Sequence, residues 1–191
     1  MYRILFPGLC VVFFVCTLLF GYEFILQVNR SSDAEALDRA ARALLICLLD
    51  SETGERGFLL TGNEGYLAPY AAGISVVNER LTDLQKLGFD SQRVSITALA
   101  DVVPQKINEL ARTIDIRRKL GLQAAADEVD HHLGKNMMDQ IRREIDRIEI
   151  DSLRAMNQAN SLSVWYSRLT FFCFVATLIC SVPLTRIFQH D

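Results

Sequence analysis

Between Asn29 and Val164 the chain holds a single cysteine, Cys47. One thiol cannot close an intramolecular disulfide, so this stretch must be held by packing and not by covalent staples. Cys47 reads as a buried, inert thiol, with a cross-chain bridge in a dimer as the alternative. Strand signals are missing as well: no segment sustains apolar–polar alternation, which argues against a sheet. Positive charge is not in excess. The same stretch carries 17 Lys and Arg against 21 Asp and Glu, a net of −4, with no dense basic patch for nucleic acid. Nor is there a nucleophile paired with a base, a phosphate-cradling glycine loop or a convincing metal triad. An enzyme is therefore not expected, and neither a catalytic residue, a metal nor a cofactor is assigned.

Charge is nearly absent from the two ends, where Arg3, Glu23, Arg168, Arg186 and Asp191 are the only Asp, Glu, Lys or Arg residues outside that stretch. The apolar run Ile4 to Tyr22 is nineteen residues long. At helical rise it spans roughly 28 Å, close to a bilayer core of about 30 Å. It is long for the apolar region of a secretion signal, and no small-x-small cleavage site follows it. An uncleaved anchor is expected. The second run, Leu169 to Leu184, has sixteen residues and draws support from its flanks. Trp165 and Tyr166 suit a membrane interface, Arg168 and Arg186 can snorkel outward, and Pro183 would end or kink the helix. Arg3 and Arg186 favour cytoplasmic termini, whereas Arg30, Arg39 and Arg42 near the opposite edge weaken the charge bias.

What fills the middle is helical periodicity. Ala34, Leu37, Ala41, Leu44 and Leu48 alternate threes and fours, the seam of a packed helix that continues the first span without a break. The cluster Thr61 to Gly65 stops it. Leu67, Tyr70, Ile74, Val77, Leu81 and Leu84 repeat the pattern, with Pro69 in the first turn. Gly88 to Ser91 ends that helix and offers a cap for the next. The third helix carries Ile96, Val103, Ile107, Leu110 and Ile114 on one stripe and runs to about Leu120, with a kink expected at Pro104. After Gly121 a fourth helix starts at Leu122, with a weak point at Gly134. It continues through Met138, Ile141, Ile145, Ile148, Ala155, Ala159 and Leu162 into the second span. The expected fold is all-α: an antiparallel up-down-up-down four-helix bundle flanked by two transmembrane helices. The segments are 1–28 (anchor), 29–164 (bundle), 165–185 (second span) and 186–191 (tail).

The most distinctive stretch is Asp50-Ser51-Glu52-Thr53-Gly54-Glu55-Arg56-Gly57-Phe58-Leu59-Leu60-Thr61-Gly62, followed by Tyr66-Leu67-x-Pro69-Tyr70. Glu52 and Arg56 are four apart on one face, in the favourable Glu-before-Arg order. Gly54 and Gly57 cost helix propensity, about 1 kcal/mol each relative to Ala, so a neighbouring helix or a ligand is expected to approach closely there. In these residues the chain resembles the third class of CHASE domain, an extracellular sensory module of bacterial receptors. That family's pattern is acidic-x-Glu-Thr-x-x-Arg-Gly-aromatic-Leu-Leu-Thr-Gly, then Tyr-Leu-x-Pro-Tyr. A looser match follows at Gly121-x-x-Ala124-Ala125, Gly134-Lys135 and Met138-Asp139-x-Ile141-Arg142. The resemblance covers about residues 30 to 165.

The resemblance implies a bundle outside the bacterial cytoplasmic membrane, both termini inside, and a homodimer embedded in membrane lipid. It also implies a signal passed to a histidine kinase, as in a two-component system, or to a nucleotide cyclase. An unknown small ligand or a partner protein would act on the bundle. Only Ile187 to Asp191 follow Arg186 in the sequence, too little for an output domain. The expectation is either a shortened receptor or a chain working through a separate partner. The alternative is a stand-alone membrane interaction subunit that binds no small ligand itself.

The candidate ligand-binding or structural residues are Glu52, Thr53, Arg56, Thr61, Tyr66 and Tyr70. An internal clamp that fixes helix packing is preferred for Glu52–Arg56 over a grip on a charged ligand. Packing is likewise preferred for Tyr66 and Tyr70, Tyr70 being on the core stripe. His131 and His132 lie beside Asp127, Glu128 and Asp130, but adjacent histidines point about 100° apart on a helix and converge poorly on one ion. A solvated face is the reading there. Arg117-Arg118-Lys119 complements the C-terminus of the third helix, which makes an anion site unnecessary.

Overall fold

The structure, a computed structural model, describes the backbone of residues 2–188 and the side chains of residues 7–182. Arg3, Arg186 and Pro183, assigned above to the flanks of the spans, have side chains outside the described residues, as does the last part of the tail. Among the described residues there are five α-helices: α1 (Tyr2–Thr61), α2 (Ala68–Leu87), α3 (Arg93–Leu120), α4 (Leu122–Asp130) and α5 (Leu133–Phe188). Short 3-10 turns, Glu64–Leu67 and Asp90–Gln92, precede α2 and α3. Among the described residues there is no strand, and the protein is all-α.

The chain divides into two compact units, Glu35–Leu153 and the paired ends Met1–Ala34 with Arg154–Asp191. The first unit is built on the periodicity read above. Leu37, Leu44 and Leu48 of α1, Val77 and Leu84 of α2, Leu99 and Val103 of α3, and Ile141, Ile145 and Ile148 of α5 bury together in one apolar cluster. A second cluster joins Phe58, Leu59, Leu67, Ile114 and Ala125, with Tyr70 and Ile116 packed against it. Along α1 and α3 the chain passes from the first cluster to the second; along α2 it passes from the second (Leu67, Tyr70) to the first.

Each helix end has a local cause. At the end of α1, Gly62 takes φ +70, the left-handed region that glycine enters freely, and its N–H closes on the Phe58 carbonyl at 2.8 Å. Asn63 then caps the following turn by accepting from the Gly65 N–H at 2.9 Å. Gly121, at φ +92, separates α3 from α4. Two expectations differ from what is found. The cap expected from the Asp90–Ser91 region is replaced by a 3-10 turn leading into α3, which lacks a side-chain cap. The break in the fourth helical stretch falls at His131–His132, where His132 takes φ +59, and not at Gly134. Gly134 lies inside α5, and a Cβ there would stand 2.4 Å from the Glu109 carboxylate, so its bare backbone gives that side chain room. Helix α3 runs uninterrupted through Pro104, which lies on its exposed side.

The second unit is apolar on the outside. Phe14, Leu18, Leu19 and Ile25 of α1 and Phe171, Phe172, Phe174 and Ile179 of α5 are all exposed. Both helices contain a stretch long and apolar enough to cross a membrane. Within this unit the Phe20 and Tyr166 rings lie 6.4 Å apart, and the Ser31 hydroxyl donates to Asn160 Oδ1 at 3.0 Å. Thr170 Cγ2 lies 4.0 Å from where a Gly21 Cβ would be, an ordinary van der Waals distance.

Candidate functional site

The seam of α1 does not end at Leu48. Continued by threes and fours it reaches Ser51, Glu55 and Phe58, and the stripe of α3 likewise passes through Lys106 and Thr113. These polar positions are buried, together with Glu52 and Glu109. In sequence they sit between the segments that form the first apolar cluster and those that form the second, so a layer of buried charge interrupts the core. Leaving such groups unpaired would be costly, and the pairing is specific. Lys106 Nζ donates to Glu109 Oε2 at 2.8 Å and lies 3.5 Å from Glu52 Oε1. Arg56 Nη2 reaches the same Glu52 oxygen at 2.9 Å, and Arg142 Nη2 stands 4.0 Å from Glu52 Oε2. Three cations from α1, α3 and α5 thus converge on one carboxylate.

Glu55 is treated differently. It is 4% exposed, and among the described residues it forms no ion pair. Its hydrogen-bond partner is the Thr113 hydroxyl, which donates to Oε1 at 2.5 Å. Burial pushes the Glu55 carboxyl above its ordinary range; the Thr113 hydroxyl opposes that shift, as does Lys106, while the nearby Glu109 and Glu52 charges add to it.

Glu52, Glu55, Arg56, Lys106, Glu109 and Arg142 line a cavity of about 780 Å³ bounded by α1, α3, α4 and α5. That is within the ordinary range for a small-molecule pocket. Its polar floor is Glu52, Glu55, Lys106 and Glu109; Leu59, Leu60, Leu122, Val129 and Met138 supply apolar walls. Arg56, Lys135, Asp139 and Arg142 also line it and are partly or fully exposed. Lys135, paired at 2.7 Å, holds Asp139 below its ordinary range, with Arg142 assisting. Among the described residues no group of three His, Cys, Asp or Glu side chains is placed to hold a metal ion.

Of the residues singled out from sequence, Glu52 and Arg56 are brought together at the cavity. Thr53 is exposed and bonds back to the Leu49 carbonyl at 2.8 Å. Thr61 is exposed, bonds back to the Gly57 carbonyl at 2.7 Å and accepts from the Asn63 N–H at 3.2 Å. Tyr66 covers Gly57, where a Cβ would come within 2.6 Å of its ring. Tyr70 packs on the second cluster, and its backbone N–H lies only 2.8 Å from where a Gly54 Cβ would be. The two motif glycines therefore admit the segment Tyr66–Tyr70. Sequence reasoning missed Glu55, Lys106, Glu109, Thr113 and Arg142. The available signal was the presence of charged residues at seam spacing.

The basic run closing α3 also has partners beyond its own helix. Arg117 Nε donates to the Leu59 carbonyl at 2.7 Å, satisfying a free acceptor in the last turn of α1. Arg118 forks onto Glu64 at 2.8 and 2.6 Å, and its guanidinium lies 5.5 Å from the centre of the Phe58 ring.

The sequence model of one family, the CHASE3 domain, matches residues 27–161. No curated protein and no solved structure matches the chain.

Proposed function

The chain belongs to the CHASE3 domain family, whose members are sensory domains of signalling receptors, and from that premise we propose that it is a membrane-bound input module that relays binding across a bilayer. The observation that carries the reading is the composition of α1 and α5. Each helix contributes to the buried core of the unit Glu35–Leu153 and also contains a membrane-length apolar stretch. A shift of either helix in response to a ligand therefore has a direct mechanical route into a span. Coupling of this kind is typically about 1–3 kcal/mol and requires two arrangements that the ligand discriminates.

The fuller reading places segment 29–164 outside the bacterial cytoplasmic membrane, with segments 1–28 and 165–185 as spans and both termini inside. An up-down-up-down order is supported by the short connections and by the reversed order of the two apolar clusters along α2. The output is a cytoplasmic signalling partner, a histidine kinase or nucleotide cyclase, driven by a homodimer. No chemistry is assigned to the module itself, in keeping with a sensory family.

The test is a fusion of the chain to a kinase output, with its five native cysteines replaced and a cysteine pair placed at Ser31 and Asn160, whose side chains meet. Oxidation should fix the output in one state, and reduction should release it. Unaltered output on complete cross-linking would sink the relay.

A further inference from the structure

The cavity floor is unbalanced in a way that bears on what fills it. Three carboxyl groups, Glu52, Glu55 and Glu109, face one buried ammonium, Lys106. Lys106 is within ion-pair distance of Glu109 and of Glu52, and Glu52 is further shared with Arg56 and Arg142. Glu55 is left with a hydroxyl as its partner. A carboxyl that is nine-tenths buried, lines a cavity and lacks a cation is an incomplete arrangement, because a buried carboxylate is stabilised by an opposite charge at hydrogen-bond distance. The surrounding surface constrains the rest of the occupant. Leu59, Leu60, Leu122, Val129 and Met138 offer apolar contact over most of the wall, which suits a hydrocarbon body and not a densely polar one such as a sugar.

We propose that the cavity binds a small organic ammonium ion, its charged nitrogen against the Glu55 carboxylate and its apolar body against the leucine, valine and methionine wall. The inference rests on the sensory reading above and deepens it. Arg56 and Arg142 help here by holding Glu52, so that the incoming cation meets Glu55 and not an already engaged carboxylate. Binding also draws Glu55 into its charged form, so a proton leaves as the ligand enters and affinity rises with pH until Glu55 is ionised in the empty protein.

The test uses the full chain in detergent micelles and three probes of matched shape: 2-phenylethylammonium, the neutral 2-phenylethanol and the anionic 3-phenylpropionate. Titration calorimetry is expected to give binding of the ammonium at least about tenfold tighter than either control. Glu55→Gln should remove that preference while leaving the helical circular dichroism and the cooperative melt intact. The variant folds because the Gln amide can donate to the Thr113 hydroxyl, which then turns to the Leu110 carbonyl 3.0 Å away. Arg56→Ala, at the partly exposed edge, should lower ammonium affinity far less than Glu55→Gln. Preference for the anion, equal binding of all three, absence of ammonium binding to the folded protein, or an unchanged affinity in Glu55→Gln would each overturn the proposal. The two readings fail separately: an anion-preferring cavity would leave the relay standing, and a cross-link without effect on output would leave ammonium binding standing.

Discussion

Thr113 stands between two acceptors, its hydroxyl oxygen 2.5 Å from Glu55 Oε1 and 3.0 Å from the Leu110 carbonyl. A hydroxyl has one proton to give and lone pairs to receive. When Glu55 is ionised, Thr113 donates to it. When Glu55 is protonated, the carboxyl donates to Thr113, which in turn donates to Leu110. Rotation of one O–H bond keeps Thr113 hydrogen-bonded to Glu55 in either state, while the ionised form still lacks a counter-charge at hydrogen-bond distance.

The raised affinity of Glu55 for its proton fixes the sign of its effect on stability. In the folded protein the carboxyl stays protonated to higher pH than in the unfolded chain. Between the two pKa values the native state therefore holds more protons, and stability falls as pH rises through that window. The Glu55→Gln variant does not titrate there. Thermal melts should show the variant gaining on the parent protein as pH is raised above the ordinary glutamate range, about 4.3. A parent protein that gains on the variant as pH rises would contradict this.

Lys106 and Arg56 both pair with Glu52, yet their replacement should differ greatly. Lys106 is 2% exposed, and Lys106→Met strands the Glu109 carboxylate in the core and takes one of three cations from Glu52, costing about 3–5 kcal/mol. The Arg56 side chain is 65% exposed, so Arg56→Ala should cost only about 0.2–1 kcal/mol. Chemical denaturation of the two variants gives the comparison directly. Adding Glu109→Leu to Lys106→Met should recover part of the loss, since it removes one stranded charge.

At Gly73 α2 packs closely against α1. A Cβ there would stand 2.2 Å from the Ser51 hydroxyl and 2.5 Å from the Cys47 carbonyl. The Ser51 side chain could turn away, but the carbonyl is backbone and cannot. Gly73→Ala should therefore push the helices apart and destabilise by about 1–3 kcal/mol, although alanine is the better helix former. Gly8, with nothing near its added Cβ, serves as the control and should tolerate alanine.

Val12 and Phe14 are exposed near the middle of the apolar run Ile4 to Tyr22 of α1. If this segment lies in a bilayer, replacing both with Arg puts two charges at its centre, each costing about 2.5–3.5 kcal/mol of insertion free energy. Carbonate extraction of membranes should then release more of the variant than of the parent chain, because the apolar stretch of α5 is left as its remaining anchor.

Most of the helical architecture was legible in the sequence, and for a physical reason. Leu44, Leu48, Val77, Leu84, Leu110 and Ile145 are apolar at seam spacing, and their burial follows from that pattern alone. The polar layer was not legible, because a charged residue at seam spacing normally argues for exposure. Only the convergence of α1, α3 and α5 makes Glu55, Lys106 and Thr113 mutually tolerable, and convergence is a tertiary fact. The same holds for Gly134: a glycine in a helix reads as a weak point, whereas here its bare backbone admits the Glu109 carboxylate. Arg117 was read as serving its own helix, and its partner proved to be the Leu59 carbonyl at the end of another. The motif from Asp50 to Tyr70 was conspicuous in sequence for Arg56 and its glycines, while the buried carboxyl within it, Glu55, drew no attention.

The polar layer also divides the fold into two parts of unequal cooperativity. The apolar cluster beyond it, around Phe58, Leu67 and Ile114, is the smaller of the two. It is joined to the larger one through ionic and hydroxyl contacts, which water can replace, in place of continuous hydrocarbon packing. Local opening costs least where few apolar contacts must be broken. Backbone amides near Phe58 and Tyr70 should thus exchange with solvent deuterium earlier than those near Leu44 and Ile145, and an occupant of the cavity should slow the first group selectively.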